Sequence, residues 1–181
     1  MNWRTVLSFS AMAVLGFALL PAVAAGEQRS LKDQLVGTWT LSSWEQTKSD
    51  GSKFLRFGSN PKGVNVYDAN GRFSLIIMRP DLPKVASGDP MKVAPEEAQA
   101  ISTGAIAYYG TYTVDEASKT VSLTVEATTL TNQVGIEQKR LVTSINADEL
   151  RYQNPTAVAG GQIALVWKRA GAATVGQAPG K

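Results

Sequence analysis

The sequence predicts an all-β protein: an eight-stranded antiparallel up-and-down barrel with one short helix in a long loop. Three observations carry this. Eight segments have the composition and period-two alternation of strands. Short turns rich in Asp, Asn and Gly join most of them, and no strand–helix–strand alternation points to a parallel sheet. Eight consecutive antiparallel strands close naturally on themselves, which removes exposed edges. A barrel of that size holds packed side chains or one small ligand.

Residues 1–25 read as a signal peptide rather than as part of the fold. Arg4 gives a positive start, Thr5 to Leu20 is uncharged and apolar, and Ala22 and Ala24 suit cleavage after Ala24 or Ala25. The competing reading is an uncleaved anchor, since the uncharged run from Thr5 to Gly26 approaches the roughly 20 residues of a spanning helix. Pro21 and the Ala-rich segment favour cleavage. The barrel domain is then expected over 26–169. Residues 170–181, which lack bulky apolar side chains beyond one Val, read as a disordered tail.

Within the domain, Ser30 is placed to cap a short helix, with Asp33 at the N3 position. Gly37–Thr47 is the first strand, rich in Thr, Trp and Ser. Gly63–Asp68 and Arg72–Met78 form a hairpin through the turn Asp-Ala-Asn-Gly. A long, proline-bearing connection follows, and its end, Pro95–Ser102, begins with Pro and two acids as a helix does. Ala105–Asp115 returns to a strand, and Asp115–Lys119 is a turn. Thr120–Thr129 alternates cleanly, with Val121, Leu123 and Val125 opposite Ser122, Thr124 and Glu126. Gln138–Asn146, Glu149–Asn154 and Gln162–Arg169 complete the eight, the first two joined by a tight Asn-Ala-Asp turn.

Composition removes several function classes. The 181 residues contain no Cys, so there is neither a disulfide nor a cysteine for lipid attachment. Such an exported chain suits a bacterial periplasm or exterior. The formal charge is +3, and without Arg4 the chain keeps 17 basic against 15 acidic residues, with no basic run of the kind that binds nucleic acid. There is no His. That removes Ser-His-Asp and Cys-His catalysis, His-ligated zinc and the usual neutral-pH proton shuttle. No metal or cofactor is implied.

Four stretches carry a resemblance: LVGTWTLSSWE (Leu35–Glu45), DANGRFSLIIMRPDLPKVASGDP (Asp68–Pro90), PEEAQAISTGAIAYYGTYTVDE (Pro95–Glu116) and ALVWKR (Ala164–Arg169). Together they resemble the bacterial lipocalin-like domain family from Leu35 to Arg169. The segments IMRPDLPKVASGD and YYGTYTVD are the specific ones. Gly-x-Trp alone also occurs in avidin-type biotin binders, but no further avidin feature is present. The resemblance implies an eight-stranded barrel of the calycin type. Members are mostly of undetermined function; some are encoded near natural-product pathways, and a few related barrels act as cyclases or isomerases. It also implies that Gly37 and Trp39 close one end of the barrel, beneath a basic residue of the last strand. Arg169 is the candidate for that residue and Lys168 the second, with a cation–π contact of about 1–2 kcal/mol.

Six residues are candidates for lining a ligand cavity. Trp44 lies five positions after Trp39, so it faces inward only if a bulge follows Leu41. Tyr67 shares a face with Asn65. Arg79 ends its strand where a barrel mouth would be, placed either to grip an anion or to pin the loop through Asp81 or Asp89. Tyr108 and Tyr112 share one face around Gly110, with Tyr109 on the other. Glu126 belongs to the Ser/Thr face; if that face lined the cavity, its carboxyl would titrate high and serve as an acid or base. The loop 80–94 is long enough to cover a mouth.

These features support three functions. The first is a periplasmic or secreted binder of a small hydrophobic or aromatic molecule, with no membrane association after cleavage. The second is a cofactor-free isomerase or cyclase using Tyr or Glu. The third is a protein-interaction barrel, such as an inhibitor, with a filled interior. A cavity of a few hundred cubic ångströms separates the first two from the third.

Overall fold

The computed structural model describes residues 29–155 and 160–171. The expected signal peptide and most of the expected tail lie outside the described residues. One antiparallel sheet contains β1 (Gly37–Thr47), β2 (Lys53–Phe54), β3 (Lys62–Tyr67), β4 (Arg72–Met78), β5 (Ala105–Asp115), β6 (Thr120–Thr128), β7 (Glu137–Ile145), β8 (Glu149–Asn154) and β9 (Gln162–Arg169). β1 also pairs with β9, from Trp39↔Arg169 to Thr47↔Gln162, so eight strands close into the expected barrel. β2, not foreseen from the sequence, is a two-residue flap on the end of β1.

The two ends of the barrel are built differently. Asp68–Gly71, Asp115–Lys119 and Asn146–Asp148 turn tightly at the end where β1 begins and β9 finishes. Helix α1 (Leu31–Leu35) joins that end to the core, with Leu31 and Leu35 buried. Ser30 caps it as expected: its hydroxyl accepts the Asp33 N–H at 3.1 Å. Glu116, from the neighbouring turn, accepts the N–H groups of Leu31 and Lys32. The long connections all gather at the other end. One of them carries helix α2 (Pro95–Gly104), and another carries a single 3-10 turn at Thr131–Gln133.

Three bulges set which side chains face inward. One extra residue, Ser42, separates Leu41 from Ser43 in the pairing with β9. Trp39 and Leu41 are therefore buried before the bulge, and Trp44 and Gln46 after it. Glu126 is the extra residue opposite Tyr109 and Gly110, and Thr143 is the extra residue in β7. At Gly110 the chains approach so closely that a Cβ would collide with the Thr124 carbonyl oxygen, which is the close-approach role of a strand glycine. Inward residues of all eight barrel strands form one core cluster, dominated by Trp39, Tyr67, Leu75, Leu123, Leu150, Tyr152 and Trp167.

Candidate functional site

The sealed end is organised around Trp39 and Arg169. The Arg169 guanidinium carbon stands 4.0 Å from the Trp39 ring centroid. Its Nη2 donates to the Gln34 carbonyl at 2.7 Å, Nη1 to the Val36 carbonyl at 3.0 Å and Nε to the Ala147 carbonyl at 2.6 Å. Two of these carbonyls close helix α1, where a cation complements the helix dipole. The Trp39 indole N–H donates to the Leu35 carbonyl at 2.8 Å. Gly37 has φ +132°, and a Cβ there would sit 2.8 Å from Arg169 Nη1. This end is therefore closed by direct packing of Trp39, Arg169 and helix α1.

The opposite half of the barrel holds a cavity of about 580 Å³. Trp44 forms one wall, edge-on to Phe57 at 5.3 Å between ring centroids. Phe54, Ile77, Ile106, Leu130, Ile136 and Ile163 make most of the remaining wall area apolar, while Gln46, Glu137, Lys139 and Asn154 are among the polar residues that also line it. Arg56 stands at the mouth, 5.0 Å over the Phe57 ring, and donates to the Thr103 carbonyl at the end of α2.

Deeper in the cavity is Arg140, 3 % exposed. Its Nη2 donates to the Tyr108 hydroxyl at 3.0 Å and to Gln138 Oε1 at 2.6 Å, and Nη1 donates to the Lys139 carbonyl at 3.0 Å. Its Nε has no partner among the described residues, nor have the Asn65 amide and the Tyr152 hydroxyl, both in the barrel interior. Burial pushes the Tyr67 hydroxyl up to about 12 and the Tyr152 hydroxyl well above its ordinary value. Both phenols are neutral at physiological pH, so neither offsets the guanidinium charge. A second depression, of about 510 Å³, lies outside the barrel between α1 and the end of β7 and is lined by Arg29, Glu116 and Lys119 among others.

Residues 36–170 match the lipocalin-like domain family. The chain belongs to that family. Among solved structures, this lipocalin-like barrel is similar to a lipocalin-like protein from Bacteroides uniformis, with 14% identity and a TM-score of 0.42 over 76% of this chain and 99% of that one. It is also similar to a redesigned β-barrel, at 12% identity and a TM-score of 0.41, covering 78% of this chain and 96% of the other. A de novo fluorescence-activating β-barrel aligns at 10% identity and a TM-score of 0.41, covering 79% of this chain and 100% of that one. No curated protein matches the chain.

The lipocalin-like barrel distributes the six candidate lining residues unevenly. Trp44 and Tyr108 line the cavity. The bulge that Trp44 requires is present at Ser42. Tyr67 and Tyr112 face inward but belong to the packed half. Their rings meet edge-on at 5.0 Å, and the Tyr112 hydroxyl donates to the Asp68 carbonyl at 2.7 Å. Arg79 is a correction: its strand has ended, its stem lies along Gly104, and its guanidinium grips Asp81 through Nε at 2.9 Å and Nη2 at 2.6 Å. Glu126 is a second correction. As a bulge residue outside the barrel it pairs with Arg72 at 2.8 Å, so it has no place in cavity chemistry. Lys168 also points outward, to Glu149, while Arg169 takes the position over Trp39. No residue of the loop 80–94 lines the cavity. That loop is tied to α2, where the Glu97 carboxylate accepts the N–H groups of Ala86 and Ala94.

Arg140 is the residue that sequence reasoning missed. In QKRLVTSIN regular alternation puts Leu141 and Ile145 on one face and only Val142 beside Arg140 on the other, so it turns Arg140 outward, where a long basic side chain is ordinarily placed. The bulge at Thr143 reverses this by bringing Ile145 round to the inward side with Val142 and Arg140. The available signal was the absence of an acid opposite it: Val121 faces Arg140 across the β6–β7 ladder.

Proposed function

We propose that this is an exported lipocalin-like protein that binds a small apolar or aromatic molecule in the open half of its barrel. The observation that carries this reading is the cavity itself. Its 580 Å³ lies within the roughly 300–1,000 Å³ of ordinary ligand pockets, with predominantly apolar walls and a few polar groups inside. The Ser42 bulge supports it, because it turns the large flat ring of Trp44 toward this space. Export rests on the leader pattern of residues 1–25. The isomerase or cyclase reading loses the carboxylate assigned to it, since Glu126 stands outside. The filled-barrel reading loses support from a cavity of this volume.

The test uses the chain from residue 26 onward and N-phenyl-1-naphthylamine, a neutral probe whose emission rises in apolar surroundings. Saturable binding is expected, with quenching of tryptophan emission. Ile106→Trp, which fills the space, should weaken binding at least tenfold. Probe affinity unaffected by filling the cavity sinks the reading. Native mass spectrometry of the protein purified from its own host identifies the resident molecule directly. Cell fractionation reports export, and a protein retained in the cytosol refutes that part.

A further inference from the structure

We propose that Arg140 and Tyr108 form an anion site, so that the cavity takes an apolar or aromatic organic acid with its acidic group inward. This deepens the cavity-binding reading above and rests on it. Arg140 is 3 % exposed, yet among the described residues no carboxylate lies within 4.0 Å of it. A guanidinium does not deprotonate in a protein, so burial cannot neutralise it as it would a lysine. Buried charges are paired, bound to metals or costly. Every partner that Arg140 has is uncharged: a tyrosine hydroxyl, an amide oxygen and a backbone carbonyl.

Hydrogen-bond accounting points the same way. The guanidinium has five N–H groups, of which the three bonds use three. The Nε–H is among those left over. The Tyr108 hydroxyl accepts from Arg140, which leaves its own proton to donate. The Nε–H lies on the Nη2 edge of the guanidinium, and Nη2 holds the Tyr108 hydroxyl, so a two-oxygen anion such as a carboxylate can accept Nε–H with one oxygen and the Tyr108 proton with the other. The guanidinium is also held in place. Gln138 Oε1 accepts from it, while Gln138 Nε2 donates at 3.2 Å to Gln133 of the 3-10 turn. The apolar body of the ligand would then run outward past Trp44 and Ile106 toward Leu130 and Ile136.

The experiment compares matched pairs that differ only in charge, decanoate with 1-decanol and 1-naphthaleneacetate with 2-(1-naphthyl)ethanol. Each displaces N-phenyl-1-naphthylamine from the wild-type protein at pH 7.5. The acids are expected to compete at concentrations at least tenfold below those of the alcohols. In Arg140→Gln that preference should fall below threefold through loss of acid affinity, with alcohol affinity changing less than threefold. Tyr108→Phe should weaken the acids severalfold and leave the alcohols unchanged. Equal affinity for acid and alcohol in the wild type, in both pairs, overturns the anion site while leaving cavity binding intact. So does an acid preference that persists undiminished in Arg140→Gln. A wild-type protein that binds the probe no better than the Ile106→Trp variant removes both readings. Should Arg140→Gln fail to fold, the wild-type comparison decides alone.

Discussion

At the scale of single residues, two arginines with similar neighbours do different work. Arg169 covers a tryptophan and satisfies three backbone carbonyls. Arg169→Gln should therefore cost about 2 kcal/mol in urea unfolding and alter the near-UV signal of Trp39. Gly37→Ala should cost about 2–3 kcal/mol, because a Cβ meets both the +132° backbone and Arg169. Arg140 should behave oppositely. Replacing a buried charge that has no counter-charge with Met should raise stability by about 1–3 kcal/mol in the same assay, with ligand absent. The first arginine was legible because the resemblance to lipocalin-like barrels implies a basic last-strand partner over the first-strand Gly-x-Trp. The second was not, because regular alternation sets Arg140 opposite Leu141 and Ile145, and only the bulge at Thr143 brings Ile145 to its side.

At the scale of elements, the strands were legible almost to the residue, since their alternation survives wherever one face is buried. Bulges were less so. One inserted residue leaves composition unchanged and exchanges the two faces, so only the five-residue spacing of Trp39 and Trp44 betrayed the one at Ser42. β2 escaped altogether, because two residues are too few to show a period. Gly110 is the element-scale position least able to change. Gly110→Ala would push β5 off β6 at Thr124, and a loss of more than about 3 kcal/mol, or failure to fold, is expected in thermal melts. Glu97→Ala should cost only about 1 kcal/mol, by freeing the N–H groups of Ala86 and Ala94 at the start of α2. Probe affinity should stay constant in that variant, because the loop it anchors does not line the cavity.

At the scale of the whole molecule, barrel closure was legible from strand count, but which end stays open was not, because that depends on what the connections pack against. The molecule also has an unusual titration profile. With no His and no Cys, few side chains ionise near neutrality. Arg151 and Lys168 hold the Glu149 carboxyl down at about 2, below its ordinary 4.5. A depressed carboxylate contributes stability above pH 4.5 that is lost as pH falls toward 2. The Tyr67 hydroxyl, raised by burial from 10 to about 12, contributes stability that is complete below pH 10 and is lost as pH rises to 12. Melting temperature should therefore be nearly flat from about pH 5 to 9.5 and fall outside that range. Glu149→Gln should flatten the acid limb, and a steep change near pH 6.5 would contradict this picture. The bulge at Ser42 has a further consequence, for ancestry. Deleting that one codon would leave a regular strand in which Ser43 follows Leu41 directly in the ladder with β9, so Trp44 and Gln46 would still face inward. Pairing Ser42 in the ladder instead would turn Trp44 and Gln46 out and bring Ser43 and Glu45 in, placing a carboxylate in the half of the barrel that holds Arg140. The first strand thus has the form of a regular one that gained a residue and kept its interior by bulging it out.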